Sequence, residues 1–366
     1  MIVRPSRSTL ASRAVILFVL CCLGQPANAQ ERVTLRTDVT FYGDNTEFFN
    51  PFRDGETLFG AAATMAINVD LNEQVSVQAG IFANHRFGSE NFAEQWRPVL
   101  RIDLHSDHQR LIIGTLDTVE RQYGSGPDRT GPHGLLPPIQ KETIAFSRPY
   151  EAGLQWKLNF PRLSQDSWLN WQRLNTVKQR ERFDAGINGR LPLRAAVPMA
   201  IAYQFHVVHE GGQLFDSGPV RDSWAVGPGL IVEPRVQFFD RTMLESYALF
   251  AGDVPDRAHP NDSKYGHGIF TRFSGEKNGW RGHLIIWGAC DWIKSEGDEN
   301  YGSLRQDGTD FRATRHYGEF GLTKIFHPAP GVELEGSARV HRIEKDYNYS
   351  YRILTRVDVD FIVWTP

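Results

Sequence analysis

The chain has 366 residues, a formal charge of −3 at pH 7 and 41% hydrophobic residues. This weakly acidic balance argues against nucleic acid as a partner, because phosphate binding needs an excess of lysine and arginine. Mean hydropathy is −0.39. No stretch after residue 30 reaches the ~18 consecutive apolar residues that a transmembrane helix needs. Composition thus excludes a nucleic-acid-binding protein and a helical membrane protein.

The N-terminal segment has the pattern of a secretory signal peptide. Three arginines precede an apolar run, and Ala27-Asn28-Ala29 supplies small residues for cleavage. Two of the 3 cysteines lie in this segment, so Cys290 would be the only cysteine of the mature chain and no intramolecular disulfide could form. We predict a signal peptide over residues 1–29 and a single β-barrel domain over residues 30–366.

From residue 32 onward, apolar and polar residues alternate with a period of two, which is typical of strands with one apolar face. One long stretch near the C-terminus, 348–364, suits a tilted strand that crosses a bilayer, where about 9–11 residues span the hydrocarbon. The patterns at 32–42, 109–116 and 236–251 are the least regular, so 14 and 18 strands stay open as alternatives to 16. The predicted strands are 32–42, 56–71, 73–86, 96–105, 109–116, 141–159, 167–175, 182–193, 197–208, 223–233, 236–251, 266–274, 279–292, 314–326, 331–343 and 348–364.

The predicted connections alternate between long and short. The set that tends to be long is 43–55, 87–95, 117–140, 176–181, 209–222, 252–265, 293–313 and a modest 344–347. The set that tends to be short is 72, 106–108, 160–166, 194–196, 234–235, 275–278 and 327–330. Bacterial outer-membrane barrels have short periplasmic turns and longer extracellular loops. The alternative fold, a secreted β-sandwich or jelly roll, gives no reason for this asymmetry.

Together these features resemble Gram-negative outer-membrane β-barrels of the porin-like kind. The resemblance rests on the signal sequence, the alternating strands, the unequal connections and the C-terminal strand, which ends in Trp364-Thr365-Pro366 rather than in the terminal aromatic residue typical of such barrels. It implies an all-β, transmembrane antiparallel up-and-down barrel of about 16 strands in the outer membrane, surrounded by outer-membrane lipid. It also allows a homo-trimer. No particular family is indicated.

Charged residues on the polar faces of the predicted strands would point into the lumen. Side chains of both signs inside a barrel of about 16 strands predict a water-filled channel for small hydrophilic solutes, anions included. The alternative is that these charges only neutralise one another in pairs. The predicted pore-lining residues are Arg101, Asp103, Glu151, Lys157, Arg182, Asp184, Arg190, Arg281, Glu333, Arg339, Arg352, Arg356, Asp358 and Asp360.

The longest predicted loop, 117–140, is rich in glycine and proline, which favours a compact irregular shape. It is the third outer loop, and in general porins the third outer loop folds into the barrel. The resemblance therefore implies a constriction, and its residues would be Glu120, Arg121, Asp128, Arg129 and His133. A loop on the outer surface is the alternative.

Other functions stay open beside a passive channel. An arginine-rich narrow ring would favour export of an anionic polysaccharide, as in alginate-export barrels, and a blocked lumen would favour an adhesive barrel. An outer-membrane hydrolase would need a site such as His105-Ser106 near Asp103, or His209-Glu210 with Asp216. The first pair falls on a predicted periplasmic turn and the second set lies in one loop. We therefore expect a channel that is not an enzyme.

The sequence indicates no metal and no cofactor. The 12 histidines are scattered, and neither HExxH nor CxxC occurs. His206 and His209 would point to opposite faces of one strand. The acidic loop 252–265 lacks EF-hand spacing. We therefore predict no metal site.

Overall fold

The computed structural model describes residues 32–118, 130–306, 308 and 310–365. Within these ranges sixteen strands form one closed antiparallel barrel, in which each strand pairs with its sequence neighbours and β1 pairs with β16. The predicted all-β, up-and-down barrel is confirmed. The strands are β1 (Arg32–Phe49), β2 (Asp54–Asn72), β3 (Val75–Arg86), β4 (Gln95–His105), β5 (Gln109–Thr115), β6 (Ala152–Phe160), β7 (Leu163–Arg173), β8 (Glu181–Leu193), β9 (Met199–Gly211), β10 (Arg221–Val232), β11 (Arg241–Val254), β12 (Lys264–Lys277), β13 (Trp280–Cys290), β14 (Thr314–Ala329), β15 (Val332–Ile343) and β16 (Asp346–Trp364).

Within the described ranges, helical structure is limited to short segments in the outer connections. One α-helical turn, α1 (Ile144–Ser147), precedes β6, and 3-10 turns occur at Pro132–Gly134, Pro260–Asp262 and Glu299–Tyr301. Among the described residues, no helix has the length and hydropathy to cross a bilayer.

Strand β16 shows how the wall separates its two environments. Tyr349, Tyr351 and Ile353 point outward and are more than half exposed, whereas Ser350 and Arg352 point inward and are buried. Side chains alternate along a strand, so the apolar set meets lipid and the polar set meets the lumen. The barrel closes where β16 pairs with β1, and there Ser350 lies opposite Thr46. This pairing makes the first and last strands of the chain neighbours.

The two ends of the barrel have connections of different length. The periplasmic turns are 73–74, 106–108, 161–162, 194–198, 233–240, 278–279 and 330–331. Extracellular loops 1 to 8 are 50–53, 87–94, 116–151, 174–180, 212–220, 255–263, 291–313 and 344–345. The predicted asymmetry is confirmed, although loops 1 and 8 are tight.

Two predicted boundaries differ most from those of the structure. Residues 141–151, expected to begin a strand, belong to loop 3, where Pro149 lacks the N–H that a strand ladder needs and Phe146 is buried inside the barrel. Residues 43–49, expected to be a loop, continue β1, and Asp44 is buried on its inner face. In both cases the side chains meet a packed lumen, which an alternation pattern does not distinguish from lipid or water.

The packed core lies inside the barrel. Its largest apolar cluster joins wall residues to residues of loops 3 and 7, among them Leu135, Leu136, Ile139, Trp292 and Tyr301. The two loops also bond to each other, since the Asp298 amide donates to the Pro137 carbonyl at 2.9 Å. Loops 3 and 7 therefore fill lumen space that would hold water in an open pore of this strand number.

A buried ion pair on the wall gives a test of this packing. Glu245 of β11 faces Arg272 of β12 in register, and the two side chains are 3% and 1% exposed. Changing Arg272→Met leaves the carboxylate buried without this partner, so we expect the free energy of unfolding to fall by about 3–5 kcal/mol. Urea unfolding of the protein in lipid vesicles measures the change. The double variant Arg272→Met/Glu245→Leu should regain most of it, and a double variant as unstable as the single one contradicts this account.

Candidate active site

The residues predicted to line a pore lie on the inner side of the barrel. Many are paired: Arg190 Nη2 donates to Glu233 at 2.7 Å, and Arg281 Nε donates to Glu276 at 2.9 Å. That they line a conducting pore stays a prediction. Their positions are Arg101 and Asp103 in β4, Glu151 just before β6, Lys157 in β6, Arg182, Asp184 and Arg190 in β8, Arg281 in β13, Glu333 and Arg339 in β15, and Arg352, Arg356, Asp358 and Asp360 in β16.

The predicted constriction loop is described only in part. Glu120, Arg121, Asp128 and Arg129 lie outside the described residues. His133 is described, and it is buried inside the barrel. The described part of loop 3 thus enters the lumen.

His133 fastens loop 3 to the wall. Its Nδ1 lies 2.8 Å from Asp166 Oδ2, its Nε2 lies 3.1 Å from Glu151 Oε2, and its ring stacks on Trp168 with 4.0 Å between ring centres. Burial alone would lower the pKa of His133, but the two carboxylates raise it to about 9. With both nitrogens directed at carboxylates, this histidine is a charged anchor and not a free base.

Loop 7 is anchored by a second charged cluster. Lys294 Nζ donates to Ser223 Oγ at 3.0 Å and forms an ion pair with Glu296, which also binds Arg182 at 3.1 Å. Burial alone would raise the pKa of Glu296, but the ammonium group beside it lowers it to about 2. The Ser223 hydroxyl donates to the same carboxylate at 2.8 Å. The cluster therefore fastens loop 7 to the wall at Ser223 of β10 and Arg182 of β8.

The first hydrolase arrangement considered from the sequence does not form. His105 is exposed at the periplasmic end of β4, and Ser106 is in the following turn. Asp103 points inward, where it binds Arg101 at 2.9 Å and Arg110 at 2.7 Å. Asp103 and His105 share one face of the strand, but arginines bind both oxygens of the Asp103 carboxylate.

The second arrangement does not form either. His209 Nδ1 lies 2.8 Å from Asp222 Oδ1 on the outer face of the barrel. Glu210 points inward, and Asp216 pairs with Arg180 in loop 4. The three predicted side chains therefore bind three different partners.

No metal site is found among the described residues. In the part of the chain that the structure describes, no group of three or more histidine, cysteine, aspartate or glutamate side chains is placed to hold an ion. In the acidic loop 6, Asp256 lies 2.8 Å from His259 and accepts the Ala258 amide at 2.9 Å. The expectation that no metal or cofactor is needed stays a prediction.

A serine, a histidine and a glutamate align on the inner faces of three successive strands. The register sets Glu319 of β14 opposite His341 of β15. Ser350 of β16 lies opposite Arg339, which is the inward residue of β15 next to His341. His341 Nε2 lies 2.8 Å from Ser350 Oγ, and its Nδ1 lies 3.3 Å from Glu319 Oε2. Hydroxyl, imidazole and carboxylate follow one another in this order in serine hydrolases.

Ser350, His341 and Glu319 together are named the Ser350 relay. Two further side chains orient it. The Tyr317 hydroxyl donates to Glu319 and lies 2.8 Å from His341 Nδ1, and His283 Nε2 lies 2.7 Å from the other carboxylate oxygen. These contacts are satisfied when His341 carries its proton on Nδ1. Nε2 can then accept the proton of Ser350, which is what activation of a serine nucleophile requires.

Ser350 borders a small polar cavity near the extracellular end of the barrel, which we name the Ser350 cavity. It has room for about one water molecule. The wall supplies part of its lining and the loops supply the rest. It is lined by Asp44, Thr46 and Phe48 of β1, Arg53 of loop 1, Glu142 and Thr143 of loop 3, Asp298 of loop 7, Arg339 of β15, and Ser350 and Arg352 of β16.

A match over nearly the whole length assigns the family. The profile of the lipid A 3′-O-deacylase-type family matches residues 25–365. The chain belongs to this family. The family is named for an enzyme that hydrolyses an ester, so the expectation that this protein is not an enzyme is wrong. No curated protein matches the sequence.

Solved porin-like barrels share the fold of this deacylase-type protein. OccK1 of Pseudomonas aeruginosa is 11% identical with a TM-score of 0.51, and the match covers 90% of this chain and 99% of that chain. OmpT of Vibrio cholerae, an outer-membrane protein solved without its loop L8, is 8% identical with a TM-score of 0.54 and coverages of 90% and 100%. At such identities the likeness shows the fold alone. The porin-like architecture and the outer-membrane location are confirmed.

The relay was not predicted from the sequence of this deacylase-type protein, because its members lie on separate strands and only the register aligns them. The sequence contains only a weak signal from which the relay could have been predicted. Ser350, His341 and Glu319 each occupy an inward position of a predicted strand, and those strands are consecutive. Reading polar inward residues across neighbouring strands, instead of along one strand, would have placed them together.

The pKa of His133 predicts how the anchor of loop 3 depends on pH. A folded pKa above the ordinary value of about 6.5 means that the charged imidazole stabilises the fold by up to about 3 kcal/mol. This contribution is complete below pH 6.5 and is lost as pH rises through about 9. We expect amide hydrogen exchange of residues 130–140, corrected for its intrinsic pH dependence, to accelerate above pH 9.

The variant His133→Gln should remove this pH-dependent step, since the amide side chain does not titrate. The control is His259→Gln, which changes an exposed histidine of loop 6 and should leave the step in place. Exchange mass spectrometry measures both. A rate in the unchanged protein that is flat from about pH 7 to 10 contradicts the assignment.

Proposed function

We propose that the protein is an outer-membrane hydrolase that removes an ester-linked acyl chain from a lipid A-type glycolipid, with Ser350 as nucleophile. The observation that carries the proposal is the 2.8 Å contact between Ser350 Oγ and His341 Nε2 at a polar cavity. Glu319 beside the other ring nitrogen completes the arrangement. The family match supports the substrate class.

The relay can perform ester hydrolysis in two steps. Ser350 Oγ attacks the ester carbonyl carbon while its proton passes to His341 Nε2, and collapse of the tetrahedral intermediate breaks the bond to the sugar oxygen, which takes that proton. Water then attacks the acyl-serine and gives one proton to His341. Collapse of this second intermediate breaks the bond from the acyl carbon to Ser350 Oγ, Oγ takes the proton back from His341 Nε2, and the fatty acid leaves. Glu319 stabilises the imidazolium in both steps. The products are a carboxylic acid and a sugar hydroxyl.

The channel predicted from the sequence, and its polysaccharide-export variant, are less well supported. Buried side chains of two loops, including Leu135, Ile139 and Trp292, pack with the wall in the lumen. A continuous water path would require these loops to leave. An adhesive barrel with a blocked lumen agrees with the packing, but it gives no role to the Ser350 relay or to the family match.

Removing the nucleophile tests the proposal directly. In Ser350→Ala, we expect release of fatty acid from purified lipid A in detergent to fall at least about 1,000-fold, because no other group in the relay can form the acyl intermediate. His341→Gln should lose a similar amount. Mass spectrometry of the glycolipid and of the released acid measures the reaction.

The matched control is Ser337→Ala. Ser337 is buried on the inner face of β15, its hydroxyl has no hydrogen-bond partner among the described residues, and it lies outside the Ser350 cavity. This variant should keep full activity. Folding of each variant is checked by its faster gel migration before boiling. Full activity in folded Ser350→Ala would overturn the proposed role.

Because loops fill the lumen, we predict that the protein does not conduct ions across a membrane. We expect the inserted protein to show no stable ohmic steps in a planar bilayer, because Trp292 and Tyr301 are buried among apolar wall residues. Deleting residues 294–306 of loop 7 should produce steps. Regular conductance steps in the unchanged protein would favour the channel function over the hydrolase.

A further inference from the structure

His206 is a buried histidine that the Ser350 relay does not use. It points inward from β9, and its side chain is fully buried. Neither of its ring nitrogens has a hydrogen-bond partner among the described residues. The ring lies beside Trp168, with 6.4 Å between the two ring centres. Buried polar groups are normally hydrogen-bonded, so the isolation of this imidazole needs a physical explanation.

Most of the charged groups that act on His206 are cations. Lys294 of loop 7, His133 of loop 3 and Arg182 of β8 contribute positive charge, and Glu296 of loop 7 contributes negative charge. His133 counts as a cation because its pKa is about 9. A proton on His206 would therefore bring a fourth cation into this group.

Both oxygens of Glu296 are already bonded. Oε1 accepts from Arg182 at 3.1 Å, and Oε2 accepts from the Ser223 hydroxyl at 2.8 Å. Oε2 also pairs with Lys294. A protonated His206 could gain this carboxylate only by displacing one of these partners, which hold loop 7 to the wall.

The other elements around His206 supply no further free acceptor among the described residues. Asp184 lies one inward position from the β8 residue opposite His206, and it accepts from Trp168 Nε1 at 3.1 Å and from two side-chain amides. On the other side, β10 places the apolar Ala225 opposite His206. The two carboxylates beside His133 bind that ring. A protonated His206 would thus be a buried cation without an acceptor of its own.

Acid therefore opposes the docked position of residues 294–298, the part of loop 7 that carries Lys294 and Glu296. A buried charge without an acceptor is unfavourable, whereas an imidazole in water takes up a proton below about pH 6.5. When residues 294–298 move off the wall, Lys294 leaves His206 and water can solvate the ring. Protonation favours the state in which this segment has moved away.

We propose that His206 is an acid-sensitive trigger: when its ring takes up a proton, residues 294–298 of loop 7 leave the wall. Near neutral pH the uncharged ring packs beside Trp168, and the segment stays docked. Asp298 lines the Ser350 cavity, so its departure uncovers one side of that cavity. His133 keeps its proton in acid, so the anchor of loop 3 stays in place. This movement goes beyond the proposed hydrolysis and does not depend on it.

Amide hydrogen exchange of the full-length protein in detergent micelles measures the movement. In the docked segment the Gly297 amide donates to the Lys294 carbonyl at 3.0 Å. The Asp298 amide donates to the Pro137 carbonyl at 2.9 Å. We expect the exchange of both amides, corrected for its intrinsic pH dependence, to be about 30-fold faster at about pH 5 than at about pH 7.5, because a released ring with a pKa of about 6.5 is protonated at the lower pH. Equal corrected rates at the two pH values overturn the proposal.

The Ser303 amide is an internal reference within the same loop. It donates to the Trp292 carbonyl at 2.7 Å and lies outside the segment that moves. Its corrected rate should respond little to acid. A general loosening in acid would accelerate Ser303 and Gly297 alike, and that result would overturn a local trigger.

The variant His206→Gln replaces the ring with a side chain that does not titrate, so the acid acceleration should disappear. The matched control is His209→Gln, which changes a histidine on the outer face of the same strand and should keep the full acceleration. Folding of both variants is checked by their faster gel migration before boiling. An acceleration that persists in folded His206→Gln, or that His209→Gln removes equally, excludes His206 as the trigger.

The variant Lys294→Met tests the same mechanism with His206 unchanged. It removes the cation beside the ring and frees an oxygen of Glu296 to accept from a protonated imidazole. The loss of the anchor should speed exchange at both pH values, but the ratio between the two rates should fall. A ratio as large as that of the unchanged protein contradicts the role of Lys294 and with it the proposed trigger.

Discussion

A wall of sixteen strands encloses more space than its own inward side chains can fill. In this protein loops 3 and 7 occupy much of that space, and they bring backbone and charged groups into a region from which water is largely excluded. Every such group needs a partner there, since an unpaired polar group in a dry interior costs several kcal/mol. Pairs between loop and wall and between loops, such as Arg53 with Asp298 at 2.6 Å, follow from this constraint.

The same constraint explains why the Ser350 relay is built on strands. Ser350, His341 and Glu319 are placed by the register of β14, β15 and β16, so their spacing does not depend on a loop conformation. The wall also makes room for its supports: a Cβ at Gly321 would lie 2.2 Å from Cε1 of His283, which holds the far oxygen of Glu319. A low-dielectric surrounding strengthens each hydrogen bond of the relay.

The sequence predicts the wall far better than the contents of the lumen. Alternation identified all sixteen strands, because lipid outside imposes one apolar face on each of them. It misplaced residues 141–151, where Phe146 is apolar but is buried inside the barrel. It also predicted that the charged side chains of Arg339 and Arg352 point inward. It did not predict that both bind Glu142, which lies about 200 residues away in the chain. Contacts between loop and wall depend on tertiary packing, which has no local period.

Access to Ser350 depends on which elements cover it. The β1, β15 and β16 side chains around the cavity are held on both sides by strand pairing, and the connections next to them, loops 1 and 8, are tight. The remaining cover is Glu142 and Thr143 of loop 3 and Asp298 of loop 7. These residues can move without breaking a strand ladder, so the barrel can stay closed while the cavity opens. For the proposed hydrolase, a rigid nucleophile under a movable cover would let a glycolipid reach Ser350 and would exclude bulk water once the cover returned, which is the condition under which a buried relay favours acyl transfer.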